Sequence, residues 1–269
     1  TRRDGLLILY PVMADAAAYS DALAGVAFNY RFVPAIALAK RLIEDGELGT
    51  VRQFRGRYLQ DWLVDPAAPW SWRLDASLAG SGALGDLGAH TFDLARYLVG
   101  DIDALSGRLT TFVDERPDPV GEGTRPVTVD DAFSAQVSFT NGAVGTVEAS
   151  RVADGHNNDH RIEIHGTEGS IRFSLERLNE LWVKRSGNRG YERLLVTEET
   201  DPYVEHWWPP GHVLGWEHTF VHENAEFLRA VDRGERFRPD FADGLAVQRV
   251  LDAVERSDDR GERVTVGGE

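Results

Sequence analysis

The stretch DDAFSAQVSFTNGAVGTVEASRVA, residues 130–153, decides the fold class. On both sides of Asn141-Gly142 small or apolar residues alternate with polar ones, and that dipeptide is a turn signal for two antiparallel strands. Working outward, IDALSGRLTTFV (102–113), HRIEIHGTEGSIRFSLE (160–176) and NELWVKRS (179–186) also read as strands. An open, largely antiparallel sheet follows. TVRQFRGRYLQDW (50–62) alternates with period two and joins it.

Helices come before and after these strands. PAIALAKRLIEDGELG (34–49) has Pro in its first turn and Gly46 near its end. GWEHTFVHENAEFLRAVDRGERF (215–237) and FADGLAVQRVLDAVERSDDRGERVTV (241–266) give two amphipathic helices and a short terminal strand. The expected architecture is α+β, with helices on one face of the sheet. GVAFNYRF (25–32) reads as a strand running into Pro34. Ahead of it, residues 1–26 join a short apolar strand-like run to an Ala-rich helix-like one. Residues 63–82, rich in Pro, Gly and Trp, read as a long irregular loop of the kind that often carries function.

With 269 residues, 42% of them hydrophobic, the chain can bury a sizeable core. A formal charge of −15 with no Lys/Arg-rich run argues against nucleic acid or an anionic membrane and favours a neutral or cationic small molecule. The absence of cysteine removes disulfides, thiolate metal sites and a Cys nucleophile from consideration. No apolar run approaches the roughly 20 residues of a membrane span. The expectation is a soluble, cytoplasmic protein.

GSGALGDLGAHTFDLARYLVG (80–100) carries glycines at 80, 82, 85 and 88, and sets Asp86 four residues before His90. Residues i and i+4 share a helix face, so the carboxylate and imidazole can converge. His90 can accept a proton near neutral pH, Asp86 can orient it or bind a hydroxyl, and the glycines leave room for a flat ligand. Taken alone, the pair reads equally as a helix cap and a core histidine. Two such ligands without a third make a poor metal site. Trp70, Trp72 and Arg73 lie just upstream, where Arg offers a planar fork of donors to an anion. The tryptophans and histidines of EHWWPPGHVLGWEH (205–218) suit either a sugar face or a buried interface. GHNNDH (155–160) gathers amides and imidazoles in a loop.

In this order, VAFNYRFVPAIALAKRLIEDGELG (26–49), WRLDASLAGSGALGDLGAHTFDLARYLVG (72–100), IEIHGTEGSIRF (162–173) and PDFADGLAVQRVLDAVERS (239–257) closely resemble the Gfo/Idh/MocA family of glucose-fructose oxidoreductase and inositol dehydrogenase relatives. The resemblance implies an α/β protein: a Rossmann domain, of which residues 1–31 would be an incomplete remnant, and a C-terminal substrate-binding and oligomerisation domain, 32–269. It implies NAD or NADP as cofactor, a sugar or polyol as substrate, and a homodimer or homotetramer through the open sheet. It makes His90 the acid/base, Asp86 a second catalytic residue that binds substrate and tunes His90, Asn157 a further substrate-binding residue, and Asn29, Tyr30, Arg31, Trp72 and Arg73 residues beside the cofactor.

Two family features have no counterpart. No G-x-G-x-x-G turn follows a first strand near the start of the sequence, and Leu9 and Tyr10 stand ahead of Pro11 where the family carries Glu and Lys. Either the chain lacks part of a longer dehydrogenase and is incomplete for activity, or it is a non-catalytic sugar-binding or oligomerisation module.

Overall fold

The computed structural model describes residues 2–268. The helices are α1 (Arg2–Tyr19), α2 (Pro34–Glu44), a single turn α3 (Ala76–Ala79), α4 (Ala89–Leu98), α5 (His218–Arg233) and α6 (Phe241–Arg260). The strands are β1 (Val51–Leu59), β2 (Ile102–Thr110), β3 (Glu115–Pro117), β4 (Thr124–Pro126), β5 (Ala132–Phe139) and β6 (Val144–Ser150). They continue with β7 (Asp159–Gly166), β8 (Gly169–Ser174), β9 (Glu180–Arg185), β10 (Glu192–Leu195) and β11 (Val264–Thr265).

The hairpin of β5 and β6 turns where Asn141-Gly142 signals it. Gly142 has φ +88°, a left-handed conformation that an L side chain resists. The Asn141 side chain accepts from the Ala143 amide at 3.0 Å and donates to the Val99 carbonyl at 3.0 Å, tying the turn to the end of α4. Nine strands run in the order β10-β9-β8-β7-β1-β6-β5-β2-β11 among the described residues. All neighbours are antiparallel except β1 and β6, which are parallel.

Side-chain alternation divides this sheet into two faces. Phe54 and Tyr58 of β1, Phe133 and Val137 of β5, and Ile162 and Ile164 of β7 are buried. They meet α2, α4 and α6, whose Ile36, Phe92, Leu94 and Val254 belong to the same core. The opposite face is open and polar, with Arg55, Arg57, Gln136, Thr146, Glu148 and Glu163 lining a shallow depression. Helices therefore cover one face, as the sequence pattern implies.

Three segments differ from that pattern. Asn29–Phe32 is a 3₁₀ turn rather than a strand. Its four side chains are all buried, and the polar ones find partners on α4 and α5, so packing rather than in/out alternation sets the conformation. The apolar run in the first 26 residues belongs to helix α1, since a short apolar run alone does not distinguish a strand from a helix. The long loop after β1 contains a 3₁₀ turn, Trp72–Leu74, and α3, whose N-cap Asp75 accepts from the Ser77 amide at 2.8 Å. No helix among the described residues is long and apolar enough to cross a membrane.

Candidate active site

Three of the four glycines in residues 80–88 are required by the fold. Gly82 and Leu84 donate their amides to the two oxygens of the buried Asp130 carboxylate, at 2.7 and 2.8 Å. A Cβ on Gly82 would lie 1.8 Å from the Asp130 carbonyl oxygen, and one on Gly88 would lie 2.7 Å from the Phe133 ring. Gly80 has φ +81° and ends α3. Gly85 is different: a Cβ there would meet only the Ser81 side chain, and the residue borders a groove of about 770 Å³. Phe28, Leu78, Ser81 and Ala89 line the same groove, with α6 residues opposite.

Between these glycines and α4 the chain forms a π-helical turn, Leu84–Gly88, a widened geometry that recurs at functional sites. Asp86 and His90 do not bond to each other. The Asp86 Oδ2 accepts from Arg151 Nη2 at 2.9 Å, whereas His90 Nδ1 is shut from solvent without a hydrogen-bond partner. The His90 ring sits among Tyr30, Phe28 and Tyr58, with centroids 4.8, 6.2 and 6.5 Å away. This apolar setting disfavours the imidazolium and lowers its pKa to about 4, against a smaller upward pull from Asp86.

A second imidazole lies beneath the first. His160 is fully buried, stacks on Tyr58 at 4.5 Å and bonds Thr91 Oγ1 through Nε2 at 3.1 Å. Burial, and then the neighbouring His90, lower its pKa to about 3. Strand register produces the stack, because Tyr58 and His160 are partners across β1 and β7. A directed chain of hydrogen bonds surrounds them. Trp216 donates to the Tyr30 oxygen at 3.4 Å, and Tyr58 donates to Asn158 Oδ1 at 2.7 Å, so Tyr30 is the donor in its 2.7 Å bond to Tyr58. Gln60 donates to the same Asn158 oxygen at 2.9 Å and accepts from Trp62 at 3.0 Å. Burial raises both phenol pKa values, so the two tyrosines stay protonated.

The residues read from the sequence fare unequally. Tyr30, Asp86 and His90 converge on this cup. Asn29 instead donates to Thr219 Oγ1 at 2.8 Å, and Arg31 forms a two-pronged pair with Asp93 at 2.9 and 2.6 Å, so both are engaged within the protein. Trp72 is half exposed, with Arg73 over its ring at 4.6 Å. Asn157 is exposed, and it is the adjacent Asn158 that enters the network. Tyr58, Gln60, Trp62 and Arg151 carry no expectation from the sequence, and His160 belongs to GHNNDH, which reads as a loop although Asp159 and His160 open β7. For Tyr58 and His160 a signal existed: each lies on the inward parity of a strand that could be read.

Residues 36–172 match the model of the GFO/IDH/MocA C-terminal domain. Levoglucosan dehydrogenase of Pseudarthrobacter phenanthrenivorans is 45% identical over 262 residues, covering 91% of this chain and 67% of that protein. The chain belongs to the Gfo/Idh/MocA family of oxidoreductases. Among solved Gfo/Idh/MocA-like structures, an oxidoreductase domain protein from Kribbella flavida superposes with a TM-score of 0.94 at 47% identity, over 97% of this chain and 72% of that one. A levoglucosan dehydrogenase in complex with NADH and levoglucosan gives 0.92 at 44% identity, over 96% and 69%.

The structure of this family member fits one end of such a cofactor. Gly85, Ala89 and Phe28 present small and flat surfaces to the groove, suited to a nicotinamide ring, next to an imidazole with an orphaned nitrogen. Among the described residues no glycine-rich turn links a strand to a helix where a pyrophosphate could sit.

Proposed function

We propose that the chain is the substrate-binding half of an NAD(P)-dependent sugar or polyol dehydrogenase in which His90 is the acid/base. The observation that carries this is the His90 imidazole, kept neutral in an aromatic cup beside the Phe28 groove. In the oxidative direction His90 takes the proton of the substrate hydroxyl while that carbon gives up its hydride. The nicotinamide, when bound, supplies the hydride acceptor at C4. Asp86 accepts from a substrate hydroxyl through its exposed carboxylate, the Trp62 ring offers a face to the sugar, and Gln60 extends the polar rim. Gly85, Ala89 and Phe28 would hold the nicotinamide, with Tyr30 between it and the cup. The same reading divides the chain into 1–31, belonging with a dinucleotide-binding domain, and 32–269, and assigns self-association to the open face of the sheet.

The test uses the protein joined to its cofactor-binding half, with sugars and polyols offered and nicotinamide reduction followed by absorbance. His90→Ala is expected to lower kcat by roughly 10²- to 10⁴-fold, the usual contribution of a general base. Because only the unprotonated ring can accept a proton, the rate of the unaltered enzyme falls as pH drops toward the His90 value of about 4 and stays flat through neutrality. Unchanged turnover in His90→Ala would reject the role. Failure of the unaltered protein to bind NAD(H) or NADP(H) would favour a non-catalytic binding module.

A further inference from the structure

We propose that Arg151 is a positioning residue for this site: by holding Asp86 Oδ2 it keeps that carboxylate away from His90, leaving the imidazole unpaired and Asp86 aimed at substrate. The inference rests on the reading of His90 as the acid/base.

Arg151 follows the last residue of β6 and is fixed by its backbone, its amide donating to the Asp131 carbonyl at 2.9 Å and its carbonyl accepting from Leu63 at 3.0 Å. Its side chain is only 2% exposed, yet Nε and Nη1 have no partner. A guanidinium so enclosed needs an anion. Asp130 is near enough to be influenced by it, but both Asp130 oxygens already accept from Gly82 and Leu84. Asp86 answers the charge, and a cation outcompetes a neutral imidazole for a carboxylate. The π-helical turn supplies the reach, carrying Asp86 toward the end of β6 while His90 points into the cup.

Without that hold, Asp86 could swing to the buried Nδ1 of His90. The pair would then favour imidazolium, and the pH at which the site loses its proton acceptor would rise. The groups facing His90 are Asp86 from the π turn, Tyr30 from the 3₁₀ turn, Tyr58 from β1 and His160 from β7. The phenols are neutral and His160 opposes protonation, so Asp86 is the group able to raise the His90 pKa.

Imidazole ¹⁵N NMR of this chain reads the effect without cofactor or turnover, with His90→Gln identifying the resonance. In the unaltered chain His90 should be neutral to about pH 5, with no carboxylate-bound Nδ1–H signal at pH 7. Arg151→Gln should raise its midpoint by about one pH unit or more, Arg151→Lys should stay near the unaltered value, and Arg151→Gln combined with Asp86→Asn should return to it. The proposal is overturned if Arg151→Gln leaves the midpoint in place, or if the double variant moves as far as the single one. Should Arg151→Gln fail to fold, the unaltered chain still decides: a carboxylate-bound Nδ1–H signal from His90 contradicts the assignment. None of these outcomes depends on turnover in His90→Ala, so the two readings fail separately.

Discussion

At the scale of single residues, the glycine-rich approach to His90 mixes two demands. Gly82 has no room for a methyl group against the Asp130 backbone, so Gly82→Ala is expected to destabilise by about 3 kcal/mol or more in thermal or denaturant unfolding. Gly85→Ala should change stability by no more than about 1 kcal/mol, because the Ser81 hydroxyl can turn away and Ala suits a helical turn. In the protein joined to its cofactor-binding half, the same methyl group should weaken NADH binding in a fluorescence titration by occupying the groove. Equal losses of stability in both variants would remove the distinction. In the sequence the four glycines look alike, and what separates them is a positive φ at Gly80, a close approach to residues 45 to 48 positions away at Gly82 and Gly88, and only the nearby Ser81 side chain at Gly85. The Asp86/His90 spacing was legible for a similar reason: it is local. Arg151 was not, because only the end of β6 brings it to Asp86.

Among elements, the turn Asn29–Phe32 holds the site together. Arg31 pairs with Asp93 on α4 and lies 3.5 Å from Asp243 on α6, while Asn29 and the Phe32 carbonyl are bonded to Thr219 and His222 on α5. Tyr30 is thus carried into the cup by neighbours tied to three helices. Arg31→Met should cost about 3–5 kcal/mol by leaving Asp93 buried and unpaired, and Arg31→Met with Asp93→Leu should recover most of it in denaturant unfolding. A single variant as stable as the parent would show that the pair is not what anchors the turn. The sequence suggests a strand here because Val26, Phe28, Tyr30 and Phe32 alternate with other residues. Alternation reports sides only when one side is wet, and from Phe28 to Phe32 both are buried. Helices α2, α5 and α6 were legible because each has one wet face; in the structure Asp240 and Asp243 also cap α6 reciprocally.

For the whole molecule, the open sheet face is the surface left without a covering layer. Its mixture of Arg55, Arg57 and Arg108 with Glu148 and Glu163 can meet its own copy across a twofold axis with opposite charges opposed. Thr146→Arg, adding a cation at that face, should convert an oligomer to monomer in light scattering. A monomeric parent would end the sheet-mediated reading. The sequence revealed that a sheet exists and that it is open, since strand alternation and hairpin turns are local. It did not reveal that β1 lies between β6 and β7, an arrangement written in pairings between distant segments.

That central position of β1 governs how the molecule assembles. The hairpins β5–β6 and β7–β8 close over short turns, whereas β1 must find Val144 and His160 across about 90 to 100 residues of chain, and such distant pairings form slowly. Tyr58 rides on β1, and it meets Asn158 just before β7 and His160 within it. The cup therefore does not exist until β1 is inserted between β6 and β7. Until then, β6 and β7 present two unpaired edges, open to the β1 of a second copy as well as to their own.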